Sequence, residues 1–369
     1  MKPNKWLAIV NVFAASKKAG SVWKRAAACL EEAGVAYKAE FTGGKYNATE
    51  LSKKAAARGY RKFIAVGGDG TIHDVLNGIA EYAMSESEVS LSDFTLSVIP
   101  VGSGNDWVKS VGLSADIKQA VASIAAGVTG VQDVVKVSVL DDLDFSAEPL
   151  AVSYMSNIGG VGLDARVCEI VNRKKERGRR GKKLYVSALL YCIRHRVPIR
   201  AKVICDGQTI FSGRYLSMAF GVGKYSGGGM RQTPAAVLDD GLLDITIIPD
   251  IPIWTIAKEV YKLFTGNFLT IKEVIPAKCS EVFILPESEA DAEPVARLFQ
   301  RHAVIQMMVA LIEKDHERLI RFFVQYAHAG RGHVAGGYVH ERIALSGKAR
   351  HLRHAHRHIL PEFAFQKHR

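Results

Sequence analysis

Apolar and polar positions along this chain follow two patterns, and the change between them comes about a third of the way in. In the first third, short apolar runs are separated by stretches with helical spacing. KWLAIVNV, VAYKAEF, KFIAV and TLSVIP read as strands, the last ended by Pro100. Between them GSVWKRAAACLEEAG, NATELSKKAAARGY and TIHDVLNGIAEY read as helices, and DIKQAVASIAAG follows as a fourth. Gly34 closes the first helix. Asn47 stands as cap of the second, with Glu50 three residues on. In the third, Ile72, Val75, Leu76 and Ile79 share one face. Strands alternating with helices predict a mostly parallel sheet covered on both faces.

After about residue 127 the helical spacing thins out. VQDVVKVSVL, LAVSYMSNI, IRAKVICD, GRYLSMAFGVG, LLDITIIP and SEVFIL read as strands with turn signals between them. Two helical stretches remain, near 163–193 and 253–264. The predicted organisation is an α/β domain over 1–127, a β-rich antiparallel domain over 128–312 and a tail over 313–369.

Composition sharpens this picture in a few places. The chain of 369 residues is 48% hydrophobic, enough for a real core. No apolar run reaches the roughly 18 residues of a membrane span, which predicts a soluble protein. The start, MKPNK before WLAIVNVFAAS, has the outline of a secretion signal. Asn11 interrupts its apolar part, and a buried first strand accounts for the same residues. The five cysteines, at 29, 168, 192, 205 and 279, are odd in number and lack metal-ligand spacing. They fit a reducing compartment without disulfides or zinc.

The net charge of +12 favours acidic partners. Much of it lies in two places. RKKERGRRGKK, Arg173 to Lys183, holds eight basic residues and one acidic one. It stands between two apolar, helical-looking segments and predicts docking to an anionic membrane surface, against the plainer reading of a solvated loop. The last 56 residues hold nine of the twelve histidines and eleven Lys/Arg against four Asp/Glu. The run HLRHAHRH matches no ligand spacing, and aromatics are not interleaved with the basic residues. The tail therefore reads as a solvated extension, or one foreign to the domain, rather than a metal tract or nucleic-acid arm.

Candidate chemistry is concentrated in glycine loops. VGGDGTIHDVLNG, 66–78, leaves a buried strand and enters a helix, with the helix expected to start at Thr71. Amides of Gly70, Thr71 and Ile72 are then expected to point outward and bind an anion. A carboxylate at Asp69 would repel a phosphate unless Mg²⁺ lay between them. The alternative is an ordinary tight turn with an acid near a helix N-terminus. A second loop, IPVGSGNDWVKSVG, follows the next strand and carries Ser103, Asn105 and Asp106. Both loops fall at the carboxyl ends of strands, where ligands bind in α/β sheets, so Asp69 and Asp106 could share a metal shell. Neither loop matches a P-loop or a dinucleotide fingerprint. A third segment, GKYSGGGMRQTPAAVLDDGLLDITII, offers either a hairpin turn or a hard-cation site at Asp240.

Taken in order, GGDGTIHDVLNG, VGSGNDW, GVGLDA and GGGM…DDGLLD resemble the lipid kinases with a diacylglycerol-kinase catalytic domain, which include bacterial lipid kinases and sphingosine kinases. The resemblance covers about residues 5–295. GGDGT alone also occurs in NAD kinases and 6-phosphofructokinases. The resemblance implies an α/β nucleotide-binding domain, Rossmann-like in the manner of phosphofructokinase and NAD kinase, followed by a β-sandwich domain. It also implies ATP, Mg²⁺ and a lipid substrate taken at the inner membrane surface by a cytoplasmic, peripheral enzyme. Carried over by position, Asn11, Thr42, Gly67, Gly68, Asp69, Gly70, Thr71, Ser103 and Asn105 face the nucleotide. Asp69 and Asp106 organise the metal and phosphates. Asp240, with Val237 and Leu242, resembles a structural Mg²⁺ site. Glu293, in ADAEPV after Asp291, resembles the residue that accepts the hydroxyl proton, with Ala292 where glycine is usual. NVFAAS replaces the family's proline and a glycine after Asn11, and Ser103 stands for a threonine. Rival readings are a kinase for a soluble acceptor such as NAD and a non-catalytic lipid- or nucleotide-binding member of the same fold. Nucleic acid is not expected as a partner, since no recognition motif accompanies the charge. A homodimer is left open, as is the identity of the lipid.

Overall fold

The computed structural model describes residues 3–14, 19–44, 47–102, 104–140, 148–177, 179 and 182–287, with the backbone of two further strands at 307–311 and 320–323. The first part runs β1 (Trp6–Val10), α1 (Ala19–Glu32), β2 (Tyr37–Phe41), α2 (Asn47–Ala57), β3 (Lys62–Gly67), α3 (Asp69–Ser85), β4 (Thr95–Pro100), α4 (Asp106–Ser110), α5 (Ile117–Ala126) and β5 (Thr129–Gln132). The second runs β6 (Val135–Leu140), β7 (Ala151–Met155), β8 (Ile158–Gly162), α6 (Leu163–Glu176), α7 (Lys182–Arg194), β9 (Ile199–Cys205), β10 (Gln208–Gly221) and β11 (Leu243–Pro249). It continues through α8 (Ile253–Glu259), α9 (Lys262–Thr265), β12 (Ile275–Cys279), β13 (Glu281–Pro286), β14 (Met307–Leu311) and β15 (Ile320–Phe323).

The first sheet has the order β2-β1-β3-β4-β15-β5. Its strands from β2 through to β15 are parallel, and β5 runs antiparallel to β15. The apolar runs of β1, β3 and β4 are buried throughout their centres, as strands covered on both faces must be. The four α3 residues expected to share a face, Ile72, Val75, Leu76 and Ile79, are all buried in this core. Helix α5 is framed as its sequence suggests: the Asp116 side chain accepts from the Gln119 amide, and Gly127 ends the helix with left-handed backbone. Asn47 departs from its expected role as cap: it is the first residue of α2, and its Oδ1 accepts from the Gly43 amide at 2.8 Å.

The second sheet has nine strands, β12-β11-β10-β9-β13-β14-β6-β7, with β8 on β10, and every described pairing in it is antiparallel. Strand β10 is 14 residues long and spans both halves: its start pairs with β9, its end with β11 and β8. Residues of β6, β8, β9, β10, β11, β12 and β13 meet in one apolar cluster, so the sheet closes over its own core. The α/β domain and β-sandwich expected from sequence are therefore both present.

Several elements differ from the sequence reading. Strand β15 lies in the stretch expected as a solvated tail, yet it pairs with β4 and β5 in the first sheet, which also reaches past the expected boundary at 127. LAVSYMSNI, expected as one strand, is divided between β7 and the start of β8. VQDVVKVSVL, expected as one strand, is divided between the sheets: β5 joins the first and β6 the second. Buried polar groups hold the crossing. Trp107 Nε1 donates to Gln132 Oε1 at 2.9 Å, Gln132 Nε2 donates to the Ser156 carbonyl, and the Asp133 amide donates to the Leu238 carbonyl at 2.7 Å. Strand β12 was not expected. It carries Pro276, and it lies at the sheet edge, where a missing N–H is tolerated.

Candidate active site

Strands β3 and β4 end side by side, with Gly67 opposite Pro100, and the Val101 amide donates to the Gly67 carbonyl at 2.8 Å. The chain then makes its two glycine loops in contact with one another. A Cβ on Gly102 would stand 2.6 Å from Asn105 Oδ1 and 3.2 Å from the Gly68 Cα, so the close approach of the loops favours glycine at 102. A Cβ on Gly67 would overlap the Thr71 side chain at 2.2 Å.

Helix α3 starts at Asp69, two residues earlier than expected, with Gly68 as its cap residue. The shift changes which amides face outward. Those of Thr71 and Ile72 are engaged, donating to the Gly68 carbonyl at 2.8 and 3.2 Å. Among the described residues no backbone group accepts from the amides of Gly68 or Gly70, so of the three expected anion-binding donors Gly70 keeps the role and Gly68, two residues before it, joins it.

Asp69 Oδ1 accepts from the Trp107 amide at 3.0 Å, which pins the first loop to α4. Burial raises the Asp69 pKa above the ordinary carboxylate value. The neighbouring Asp106 charge adds to this, and the Trp107 amide opposes it. Asp106 is buried at 5% exposure, and both its oxygens are engaged. Oδ1 pairs with Lys109 Nζ at 2.7 Å, and Oδ2 accepts from the Gly228 amide at 2.6 Å. A Cβ on Gly104 would stand 3.3 Å from Asp69 Oδ2 and 3.5 Å from Asp106 Oδ2, so the two carboxylates face the same point.

Gly228 belongs to the second domain, and its loop docks here. Gly227, Gly228 and Gly229 all have positive φ, at 58°, 92° and 120°. Ser110 Oγ accepts from the Lys224 amide at 3.2 Å and donates to Asn157 Oδ1 at 3.0 Å, while Asn157 Nδ2 donates to the Tyr225 carbonyl at 2.9 Å. Behind the loop, Asp164 accepts from Ser217 Oγ and Gln232 Nε2, both at 2.7 Å, and the enclosure of its carboxylate pushes its pKa up to about 6.

The remaining expected residues fall as follows. Asn11 Nδ2 donates to Thr71 Oγ1 at 2.9 Å, and its Oδ1 accepts from the Phe13 amide at 3.0 Å. Thr42 is buried, and its hydroxyl has no hydrogen-bond partner among the described residues. Asn105 adopts left-handed backbone, and its buried Oδ1 is likewise without a described partner. Asp240 stands apart from this group, in the turn before β11. Its Oδ1 accepts from the Leu242 amide at 3.1 Å, and its Oδ2 pairs with Lys278 Nζ at 2.8 Å, so a protein ammonium meets the charge that an Mg²⁺ was expected to meet. Val237 is exposed. Nearby Asp133 accepts from the Gly241 amide at 2.7 Å, and burial, with the Asp240 and Asp239 charges adding, pushes its pKa up to about 6. Ser103, Asp291 and Glu293 lie outside the described residues. Among the described residues no group of three or more His, Cys, Asp or Glu side chains is placed to hold a metal.

Lys109, Asn157 and Asp164 were not singled out from the sequence. Two of them left a trace there: Asp164 stands in GVGLDA, and Lys109 follows Asp106 by three residues, a spacing that brings helical side chains together.

Comparison with known proteins agrees with this arrangement. Residues 5–137 match the family model of the diacylglycerol kinase catalytic domain, and 158–313 match that of the YegS C-terminal NAD kinase beta sandwich-like domain. The chain is 25% identical over 258 residues to a Xanthomonas euvesicatoria protein described as a probable lipid kinase, YegS-like, covering 68% of this chain and 75% of that one. It is 26% identical over 246 residues to a diacylglycerol kinase of Mycobacterium tuberculosis, covering 66% and 74%. A diacylglycerol kinase structure from Bacillus anthracis shares the fold with a TM-score of 0.62 at 21% identity, over 88% of this chain and 98% of that one. Two glycine loops meeting beside paired carboxylates, on matched α/β and β-sandwich domains, place this chain in the diacylglycerol-kinase catalytic-domain family of lipid kinases.

Proposed function

We propose that this protein transfers the γ-phosphate of ATP to the hydroxyl of a lipid, with Mg²⁺. The observation that carries the reading is the meeting of three glycine loops around Asp69 and Asp106 at the carboxyl ends of β3 and β4.

The residues present suit a metal–nucleotide. The amides of Gly68 and Gly70 and the dipole of the 17-residue α3 favour an anion there. Asp69 disfavours a bare phosphate at the same place, and a divalent cation between the two removes the conflict. Because no described cluster of protein ligands is complete by itself, the phosphates must supply part of the coordination, as is common for Mg²⁺. The bound metal ion would offset charge on the transferring group. Thr42 Oγ1 and Asn105 Oδ1 are buried oxygens suited to the hydroxyl and amino donors of a nucleotide.

Phosphoryl transfer depends on positioning and charge neutralisation more than on covalent help. Asp69 is held by the Trp107 amide. Lys109 neutralises Asp106 and fixes it against the loop of Gly228, which brings the second domain to the phosphates. Glu293 would take the acceptor hydroxyl's proton, a role that rests on the family resemblance.

The test is ATP consumption by purified protein with Mg²⁺ and lipid hydroxyl acceptors in mixed micelles. Asp69→Asn should lower turnover by on the order of 10² or more, with an unchanged circular dichroism spectrum. Near-wild-type turnover in that variant would sink the reading. Consumption with NAD but no lipid would reassign the acceptor. ATP binding without turnover on any acceptor would make this a non-catalytic member.

A further inference from the structure

Helix α7 is apolar on both sides. Leu184, Ala188, Leu189, Cys192 and Ile193 are buried in a cluster with α6, α8 and α9. The opposite side leaves Val186, Leu190 and Tyr191 at 43%, 57% and 51% exposure. Lys183 and Arg194, both exposed, bracket that stripe. A surface helix in water normally turns polar residues outward, so this stripe has an unmet apolar face. The next helices repeat the feature: Trp254, at the start of α8, is 77% exposed, with Tyr261 and Phe264 following at 57% and 46%. Asp250, just before α8, pairs with Arg196, just after α7, at 4.0 Å, so the ends carrying Tyr191 and Trp254 adjoin. The surface also flanks the third glycine loop. A Cβ on Gly227 would stand 3.8 Å from the Tyr185 ring, and the Arg231 amide donates to the Leu263 carbonyl at 2.6 Å.

We propose that the outer faces of α7, α8 and α9 form a single membrane-docking surface that inserts Leu190, Tyr191 and Trp254 into an anionic leaflet. Charge complementarity selects that occupant. The Arg173–Lys183 run falls in the sequence between the apolar stretches of α6 and α7, and Lys258, four residues after Trp254 on α8, is 82% exposed and 3.9 Å from Glu259. A second copy of the chain would bring like charges together here, whereas an anionic lipid surface is attracted by them. Trp and Tyr suit the leaflet boundary because they pair an apolar body with a polar tip. The arrangement would bring the Gly227–Gly229 loop toward its lipid source. The inference rests on the lipid-kinase reading, but binding is measured without ATP, so the two can fail separately.

Of the four tryptophans, Trp6, Trp23 and Trp107 are buried, leaving Trp254 as the exposed reporter. Full-length protein is mixed with vesicles of phosphatidylcholine, with or without phosphatidylglycerol. Sedimentation and tryptophan emission are then read at low and high salt. The expected result is binding to the anionic vesicles that salt weakens, with a blue shift absent in Trp254→Phe. Leu190→Ser with Tyr191→Ser should weaken binding by about tenfold or more, from the loss of two inserted side chains. Because these side chains face solvent, an unchanged thermal midpoint is expected to accompany that loss. Undiminished binding in the double variant, or no blue shift on bound wild-type protein, overturns the proposal. So does concentration-dependent dimerisation, without vesicle binding, that the same substitutions abolish.

Discussion

Asn77 lies in the middle of α3, where asparagine is a poor helix former, and its partners explain its presence. Its Oδ1 accepts from the Tyr154 amide at 2.8 Å and from Ser153 Oγ at 3.1 Å, and its Nδ2 donates to the Tyr154 carbonyl at 2.8 Å. The side chain thus pairs with β7 as a neighbouring strand would, and it joins α3 to the second sheet. Asn77→Ala should leave both polar groups of Tyr154 without this partner and lower stability by about 2–4 kcal/mol. A thermal midpoint within a degree or so of wild type would show that water replaces the amide at no cost.

Helices α2 and α3 approach one another through a glycine. A Cβ on Gly78 would stand 2.1 Å from both Ser52 Oγ and the Thr49 carbonyl oxygen. Alanine is normally the better helix residue by about 1 kcal/mol. Here the overlap involves backbone, which cannot rotate away, so Gly78→Ala should destabilise by roughly 1–3 kcal/mol. Chemical denaturation would check the sign, since a stabilised variant would mean that the helices separate freely. The same close fit shapes the two glycine loops. Gly67 and Gly102 let β3, β4 and the start of α3 converge, and that convergence points Asp69 and Asp106 at one place. At this scale the sequence was informative about elements but not about their partners: β5 and β6 read as one apolar run, although buried Gln132 and Asp133 turn the chain from one sheet to the other.

Across the whole molecule, acids enclosed behind the site should leave a pH signature. Asp164 has a folded-state pKa near 6 against an ordinary 3.8, because its carboxylate is desolvated. The folded state therefore binds this proton more tightly than the unfolded chain does. Stability is lost as pH rises from about 4 to about 6 and then levels off, a loss on the order of 1–3 kcal/mol. Asp133, also raised to about 6, contributes in the same window, so Asp164→Asn should make the slope shallower without abolishing it, which thermal unfolding of both proteins across the interval would reveal. Parallel slopes would place the Asp164 carboxylate in contact with water. Among the described residues no helix is long and apolar enough to cross a membrane.

The sequence by itself determined the alternation of strands and helices, the change to β-rich texture and the two glycine loops. Those features depend on local spacing and on residues with unusual backbone freedom, which a linear reading captures. It also carried Asp69 and Asp106, because a carboxylate inside a glycine loop is chemically conspicuous where it stands. Tertiary structure alone decided that α3 begins at Asp69, that Lys109 and the Gly228 amide occupy Asp106, and that Lys278 meets Asp240. It alone showed that, among the described residues, Val186, Leu190 and Tyr191 on one side of α7 are exposed. Each of these depends on contacts between residues far apart in the chain or on the absence of a neighbour, and neither is encoded in local spacing.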